Sequence, residues 1–127
     1  MFINYSNHPS DRWSEEQIKA AEKEYGRITD LPFPNVEVSF TRDEIHKLAE
    51  KEAEKIIGLL SESPEENAVM CQGEFTLCFS VVSMLQKAGI RAVSAVTERI
   101  TEETMENGES VKKSIFRFAG FREYCRE

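Results

Sequence analysis

Apolar residues recur along this chain with different periods, and each period predicts a different element. Between residues 41 and 60 they return every three or four positions with Glu and Lys between them, which indicates an amphipathic helix. Segment 90–97 alternates apolar and polar residues and predicts a strand. The short apolar run 68–72 is typical of a strand buried on both faces. Segment 74–88 is apolar nearly all round, so we expect a helix buried against a sheet, or against a sheet and a partner chain.

Capping residues mark where the predicted helices begin and end. Ser14 opens a capping box, which predicts a helix that runs to Tyr25 and stops at Gly26. Thr41 opens a second capping box at the start of the amphipathic helix. Gly89 is placed to end the third helix.

These elements alternate as β-α-β-α-β-α-β, followed by a last strand. Such alternation implies a parallel sheet with right-handed crossovers and helices on both faces. The last connection is short and polar and carries Asn107-Gly108, a dipeptide typical of hairpin turns, so the fifth strand is expected to be antiparallel and at an edge. We therefore predict an α/β fold: one Rossmann-like three-layer domain over 1–127, with three main helices and a five-stranded sheet in the order 2-1-3-4-5. The remaining predicted segments are strands at 2–5, 27–31 and 113–124, a polar break at 61–67 and a polar stretch at 101–111.

Composition narrows the classes of function. The 127 residues are 40% hydrophobic and 31% charged, with a formal net charge of −7, which suits a globular protein and disfavours binding to long nucleic acid. No apolar run approaches the ~18 residues of a membrane span, and the N-terminus lacks the features of a signal peptide. Three cysteines cannot all pair within one chain, and Cys71 and Cys78 lie in apolar surroundings. We expect reduced thiols and a cytoplasmic location.

Ligands of an open parallel sheet bind where the strand order reverses, outside the carboxyl ends. Here that point lies between strands one and three, where segments 6–10 and 73–76 meet. Gly73 and Thr76 open a helix N-terminus, which attracts phosphate, although Gly73 alternatively only makes the strand-to-helix turn. Glu74 disfavours phosphate and suits a ribose hydroxyl. His8 is a candidate proton shuttle, or alternatively a turn histidine bonded to backbone.

A third candidate segment follows strand four at the same sheet edge. Thr97, Glu98 and Arg99 together offer a hydroxyl, a carboxylate and a guanidinium to a ribose and a phosphate. Near the last strand, a basic stretch supplies either the wall of an anion site or edge-strand charge: Lys112, Lys113, Arg117 and Arg122. Metal-ligand spacings, a GxGxxG fingerprint, a Walker A lysine and a GxSxG elbow are absent from the sequence, so we expect no metal and no cofactor.

These segments, taken in order and spacing, resemble small standalone proteins of type III CRISPR systems. Those proteins are related to CRISPR-associated Rossmann fold (CARF) domains, and several are ring nucleases. The resemblance runs over nearly the full chain. It rests on Ser6-Asn7-His8-Pro9, Gly73-Glu74-Phe75-Thr76, Thr97-Glu98-Arg99, Ser114-Ile115-Phe116-Arg117-Phe118 and Phe121-Arg122-Glu123-Tyr124.

The resemblance implies a homodimer whose paired crevices bind a cyclic oligoadenylate and cut it without metal, by attack of a ribose 2′-hydroxyl on its own phosphate. The resemblance thus favours an enzyme over a protein that only binds the nucleotide. The sequence lacks the obvious lysine on which CARF-type sites often rely, so a sensor or sink that binds without cutting is the alternative, and a protein-interaction domain is the second. The implied catalytic residues are His8, as base or acid, and Arg99. The implied ligand contacts are Ser6, Asn7, Ser10, Gly73, Glu74, Phe75, Thr76, Thr97 and Glu98.

Overall fold

A computed structural model describes residues 1–63 and 66–126, so the middle of the predicted polar break lies outside the described residues. The described chain contains three α-helices, five strands and a short 3₁₀ helix at Ser10–Arg12. The elements run in the order β1 (Phe2–Ser6), α1 (Glu15–Tyr25), β2 (Ile28–Pro32), α2 (Arg42–Ser61), β3 (Ala68–Cys71), α3 (Phe75–Lys87), β4 (Arg91–Glu106) and β5 (Glu109–Glu123).

The five strands form one sheet in the order β2-β1-β3-β4-β5. Neighbours among the first four strands are parallel, and β4 and β5 are antiparallel. The predicted fold class and strand order are therefore confirmed. All five residues of β1 are buried, because β1 lies between β2 and β3 and helices cover both faces of the sheet.

Helices lie on both faces of the sheet. On one face, α2 and α3 pack over the larger core cluster, which includes Ile3, Ile56 and Leu77. On the other face, α1 covers a smaller cluster around Phe2 and Met70. Among the described residues, no helix is long and apolar enough to cross a membrane.

The helix starts follow from the predicted caps. The Thr41 hydroxyl accepts a hydrogen bond from the amide of Glu44 (3.2 Å), and the Glu44 carboxylate accepts one from the Thr41 amide (3.3 Å). This reciprocal pair is a complete capping box. Ser14 accepts from the amide of Gln17 (3.2 Å), but the Gln17 side chain instead donates toward the sulfur of Met70 (3.9 Å). Only the first half of the predicted box therefore forms at α1.

The hairpin of β4 and β5 is much longer than predicted. The prediction that β4 ends at Thr97 is wrong, because β4 continues to Glu106 and pairs with β5 from Glu109 onward. We call residues 98–106 and 109–117 the ribbon. Asn107 and Gly108 form its turn with positive φ angles of 51° and 78°, as a two-residue hairpin turn requires. The polar stretch belongs to the two strands of the ribbon, and its register places oppositely charged residues opposite each other: Glu98 and Arg117, Glu102 and Lys113, Glu103 and Lys112.

Candidate functional site

Two adjoining cavities open at the carboxyl ends of the parallel strands, where the strand order reverses. One, of about 420 Å³, lies on the α3 side of the sheet. The other, of about 390 Å³, lies on the α1 side. Asn7, His8 and Gln72 line both, so the two cavities are parts of one site that we call the crevice.

A hydrogen-bond network holds the loop that carries His8. The buried amide of Asn4 donates to the His8 carbonyl (2.8 Å) and to the Asp30 carboxylate (3.0 Å). The Ser6 hydroxyl donates to the Asn4 side-chain oxygen (2.6 Å), and the Trp13 indole donates to the His8 carbonyl (2.9 Å). These bonds fix the backbone of His8, and His8 lines both cavities.

Two residues that were expected to touch the ligand, Ser6 and Ser10, belong to the hydrogen-bond network that holds this loop. Ser6 is buried, and its hydroxyl is bonded to Asn4. Ser10 bonds the Asp30 carboxylate through both its amide (3.2 Å) and its hydroxyl (3.0 Å). Neither residue lines the crevice, so in this structure both position the loop.

The N-terminus of α3 is occupied by the chain's own carboxylate. Glu74 accepts hydrogen bonds from the amides of Thr76 (3.1 Å) and Leu77 (2.8 Å), and from the Thr76 hydroxyl (2.7 Å). The bond from the Leu77 amide is the main reason that the pKa of Glu74 lies below its ordinary value, and the Thr76 hydroxyl adds to it. The amide and hydroxyl of Thr76, which were expected to bind phosphate, are thus already bonded to Glu74, and Thr76 lines neither cavity.

Gly73 lines the α3-side cavity, and its missing side chain has a packing reason. A Cβ atom at this position would lie 2.5 Å from carbon atoms of the Phe33 ring. Phe33 is buried and packs on Tyr5, with ring centroids 4.9 Å apart. Gly73 therefore leaves room for Phe33. Phe75 lines the same cavity and is almost fully exposed.

The segment that was expected to end β4 is divided between the crevice and the ribbon. Thr97 lines the α1-side cavity. Glu98 and Arg99 do not line either cavity. The Arg99 guanidinium donates to the Ser114 hydroxyl on the opposite strand (3.0 and 3.1 Å). The structure therefore does not bring Arg99 to His8.

Several crevice residues were missed from the sequence. Gln72 accepts a 2.6 Å hydrogen bond from the Ala95 amide through its side-chain oxygen, and it lines both cavities. The two phenylalanines at alternate positions of β5 were a readable signal, because alternate residues of a strand share a face. The missed residues include Arg12, Trp13, Gln17, Phe116 and Phe118 on the α1 side, Gln72 on both sides, and Ser94, Cys78 and Tyr124 on the α3 side. Among the described residues, no group of three or more His, Cys, Asp or Glu side chains is placed to hold a metal ion.

Fold and crevice together define a small α/β protein with a polar and aromatic cleft at the carboxyl ends of a mostly parallel sheet. A family model covers residues 1–122. The chain belongs to the family described as the uncharacterized protein MJ1673 family. No curated protein and no solved structure matches the chain.

Proposed function

We propose that this chain binds a cyclic oligoadenylate in the crevice and cleaves it by metal-independent attack of a ribose 2′-hydroxyl. The observation that carries the proposal is the composition of the α1-side cavity. It combines a cation, Arg12, with an imidazole, His8, and with the aromatic rings of Trp13, Phe116 and Phe118.

Each of these groups matches a part of a nucleotide. Aromatic rings stack on bases without regard to sequence, and such stacking contributes about 1–3 kcal/mol per base. The Arg12 guanidinium is suited to bind a phosphate with two hydrogen bonds. Each cavity is also large enough for a small ligand, since such sites measure about 300–1,000 Å³. Aromatic, cationic and acid–base groups in one cleft favour a nucleotide over an apolar ligand.

In the proposed reaction, His8 acts as the acid–base group. Its imidazole accepts the proton of the 2′-hydroxyl while that oxygen forms a bond to phosphorus and the bond from phosphorus to the 5′-oxygen breaks. The 5′-oxygen takes a proton, and the products are a 2′,3′-cyclic phosphate and a 5′-hydroxyl. Arg12 stabilises the charge on the phosphorane. Because the nucleophile belongs to the substrate, the protein mainly has to hold an in-line geometry.

Glu74 sets a condition on this proposal. Its carboxylate occupies the donors of the α3 N-terminus, so a phosphate takes that place only after Glu74 swings out. The proposal therefore assigns phosphate binding to Arg12. Replacing Glu74 by Gln removes one negative charge next to the crevice and is expected to tighten binding of the ring.

The proposal includes a homodimer. The exposed face of α3 carries Phe75 and Phe79, which are 89% and 77% exposed. Beside them, a groove of about 830 Å³ runs between α3 and the C-terminal residues 124–126. Phe75 lines both this groove and the crevice, so a second copy on the groove brings two crevices together. Sedimentation of the wild type as a dimer and of Phe79→Lys as a monomer would support this arrangement.

The experiment is incubation of the protein with cyclic tri-, tetra- and hexa-adenylate in EDTA, with binding and linear product followed separately. Product that forms in EDTA supports the nuclease, binding without product supports the sink or sensor, and no binding of any ring contradicts both. His8→Ala should bind the ring but lose turnover. Its matched control is His46→Ala, since His46 lies on α2, exposed and paired with Glu50 (3.1 Å). Arg99→Ala decides separately whether the ribbon takes part.

A further inference from the structure

Two thiols face each other beneath the crevice. The sulfur atoms of Cys71 and Cys78 lie 3.5 Å apart. Cys71 is the last residue of β3 and is fully buried. Cys78 lies in the first turn of α3, is 8% exposed, and lines both the α3-side cavity and the groove. One thiol is therefore reachable from solvent, and the second lies directly behind it.

Tyr124 completes this cluster. Its hydroxyl donates to the carbonyl of Cys71 (2.8 Å) and lies 3.7 Å from the sulfur of Cys78. The hydrogen bond with Cys71 lowers the pKa of Cys78 to about 7, and the Tyr124 hydroxyl adds to this effect while burial opposes it. The same bond and burial raise the pKa of Cys71 far above its ordinary value. Of the two thiols, Cys78 therefore has the lower pKa and loses its proton first.

From this geometry we infer that Cys71 and Cys78 are a reversible oxidation site, at which a hydroperoxide oxidises the two thiols to an intramolecular disulfide. The Cys78 thiolate attacks one peroxide oxygen, the O–O bond breaks, and a sulfenic acid forms as the leaving oxygen takes a proton. The Cys71 sulfur then attacks the Cys78 sulfur, its proton leaves with the departing hydroxide as water, and the S–S bond forms. Two thiols and one hydrogen peroxide thus give one disulfide and two waters.

The position of the pair favours a disulfide over further oxidation of Cys78. The sulfur atoms must approach by about 1.5 Å to reach the bond length of about 2.05 Å. Cys78 is the accessible attacking thiol and Cys71 the buried resolving thiol, so a sulfenic acid on Cys78 meets its partner at once. The bond would tie the carboxyl end of β3 to the first turn of α3 at the floor of the crevice. This inference does not depend on the ligand proposed above.

The test uses protein carrying Cys125→Ser, because Cys125 is exposed and would oxidise independently. After hydrogen peroxide and quenching, the protein is denatured, its free thiols are alkylated, and it is digested with a glutamate-specific protease. Glu74 is the sole acidic residue between Cys71 and Cys78, so the digest separates peptides 67–74 and 75–98. The expected result is that the two peptides stay joined until a dithiol reductant is added.

Two variants make the roles of the thiols separable. Cys71→Ser should accumulate a sulfenic acid on Cys78 that dimedone traps, and Cys78→Ser should leave Cys71 reduced. The inference is overturned if both thiols of the Cys125→Ser protein are alkylated after peroxide, or if Cys78 reaches sulfinic acid without joining the peptides. The Cys125→Ser protein supplies this readout even where a second substitution disturbs folding.

Discussion

The contact between Gly73 and Phe33 makes a sharp prediction about stability. In Gly73→Ala, the new methyl group would lie 2.5 Å from the Phe33 ring, so the ring has to move. Phe33 is 4% exposed and packs on the ring of Tyr5, which leaves it little freedom. Overpacking of this kind costs about 1–3 kcal/mol, and we expect Gly73→Ala to lower the free energy of unfolding by that amount.

Removal of the ring should remove the penalty. Phe33→Ala alone costs about 3–5 kcal/mol, because it leaves a cavity. In that background, Gly73→Ala should cost nothing, or stabilise by about 0.4–1 kcal/mol through the lower entropy of the unfolded chain. The two substitutions are therefore expected to be strongly non-additive, with a coupling energy of about 1–4 kcal/mol. Phe33→Leu serves as a milder background if the double variant does not fold.

The assay is urea denaturation followed by circular dichroism on wild type, the two single variants and the double variant. Their free energies of unfolding are compared provided that their m-values agree. Gly58→Ala is the matched control, since Gly58 lies in α2 and no atom within 4 Å would meet its Cβ. It should stabilise the protein by about 0.5–1 kcal/mol. Equal effects of Gly73→Ala in the presence and absence of the Phe33 ring would refute the reasoning.

Three further predictions follow from other parts of the structure. Asn4→Ala should lower the free energy of unfolding by about 1–3 kcal/mol in the same urea assay, because it leaves the partners of a buried side-chain amide unpaired. Asn35→Ala is the control, since Asn35 is exposed, and an equal loss in both variants would contradict the role of the network. The ionised Glu74 cap should stabilise α3 at pH values above the ordinary pKa of 4.5, and this contribution should be lost as the pH falls through the lowered pKa. Wild type should therefore exceed Glu74→Ala in stability by about 0.5–1 kcal/mol at neutral pH, a small value because the carboxylate is exposed, and the difference should shrink in acid. A constant difference down to about pH 3 would argue against this role. Amide hydrogen exchange should be far faster in the ribbon than in β1 and β3, because a two-stranded ribbon in solvent is marginally stable; equal protection would show that another chain covers it.

The sheet could be predicted because its signals are local. Short apolar strands alternate with capped helices, and the handedness of the crossovers leaves few topologies. The full length of the hairpin could not be predicted in this way. Its polar half has no apolar run, and the opposite charges that face each other across the hairpin become visible only when Glu102 is aligned with Lys113.

The crevice was located from the sequence, but its chemistry was only partly predicted. His8, Asn7, Gly73, Phe75 and Thr97 do line it. The other expected contacts do not line it, and some of them are bonded within the protein, as Ser6, Ser10 and Thr76 are. The partner of Ser10, for example, is a carboxylate on the neighbouring strand β2, and no spacing in the sequence shows that pairing.

The ribbon also changes what the molecule presents to its neighbours. At about 3.4 Å per residue, each of its arms is roughly 30 Å long, and its base, around Phe116, lies at the crevice. Among the described residues, β4 pairs with β3 only as far as Val93, so along the ribbon the outer edges of both β4 and β5 are open to solvent. Open edges are templates for association between molecules, and charged side chains discourage it. The charges of Lys112 and Lys113 thus oppose pairing of the ribbon with another chain. A variant with neutral, apolar residues at both positions would be prone to assemble edge to edge.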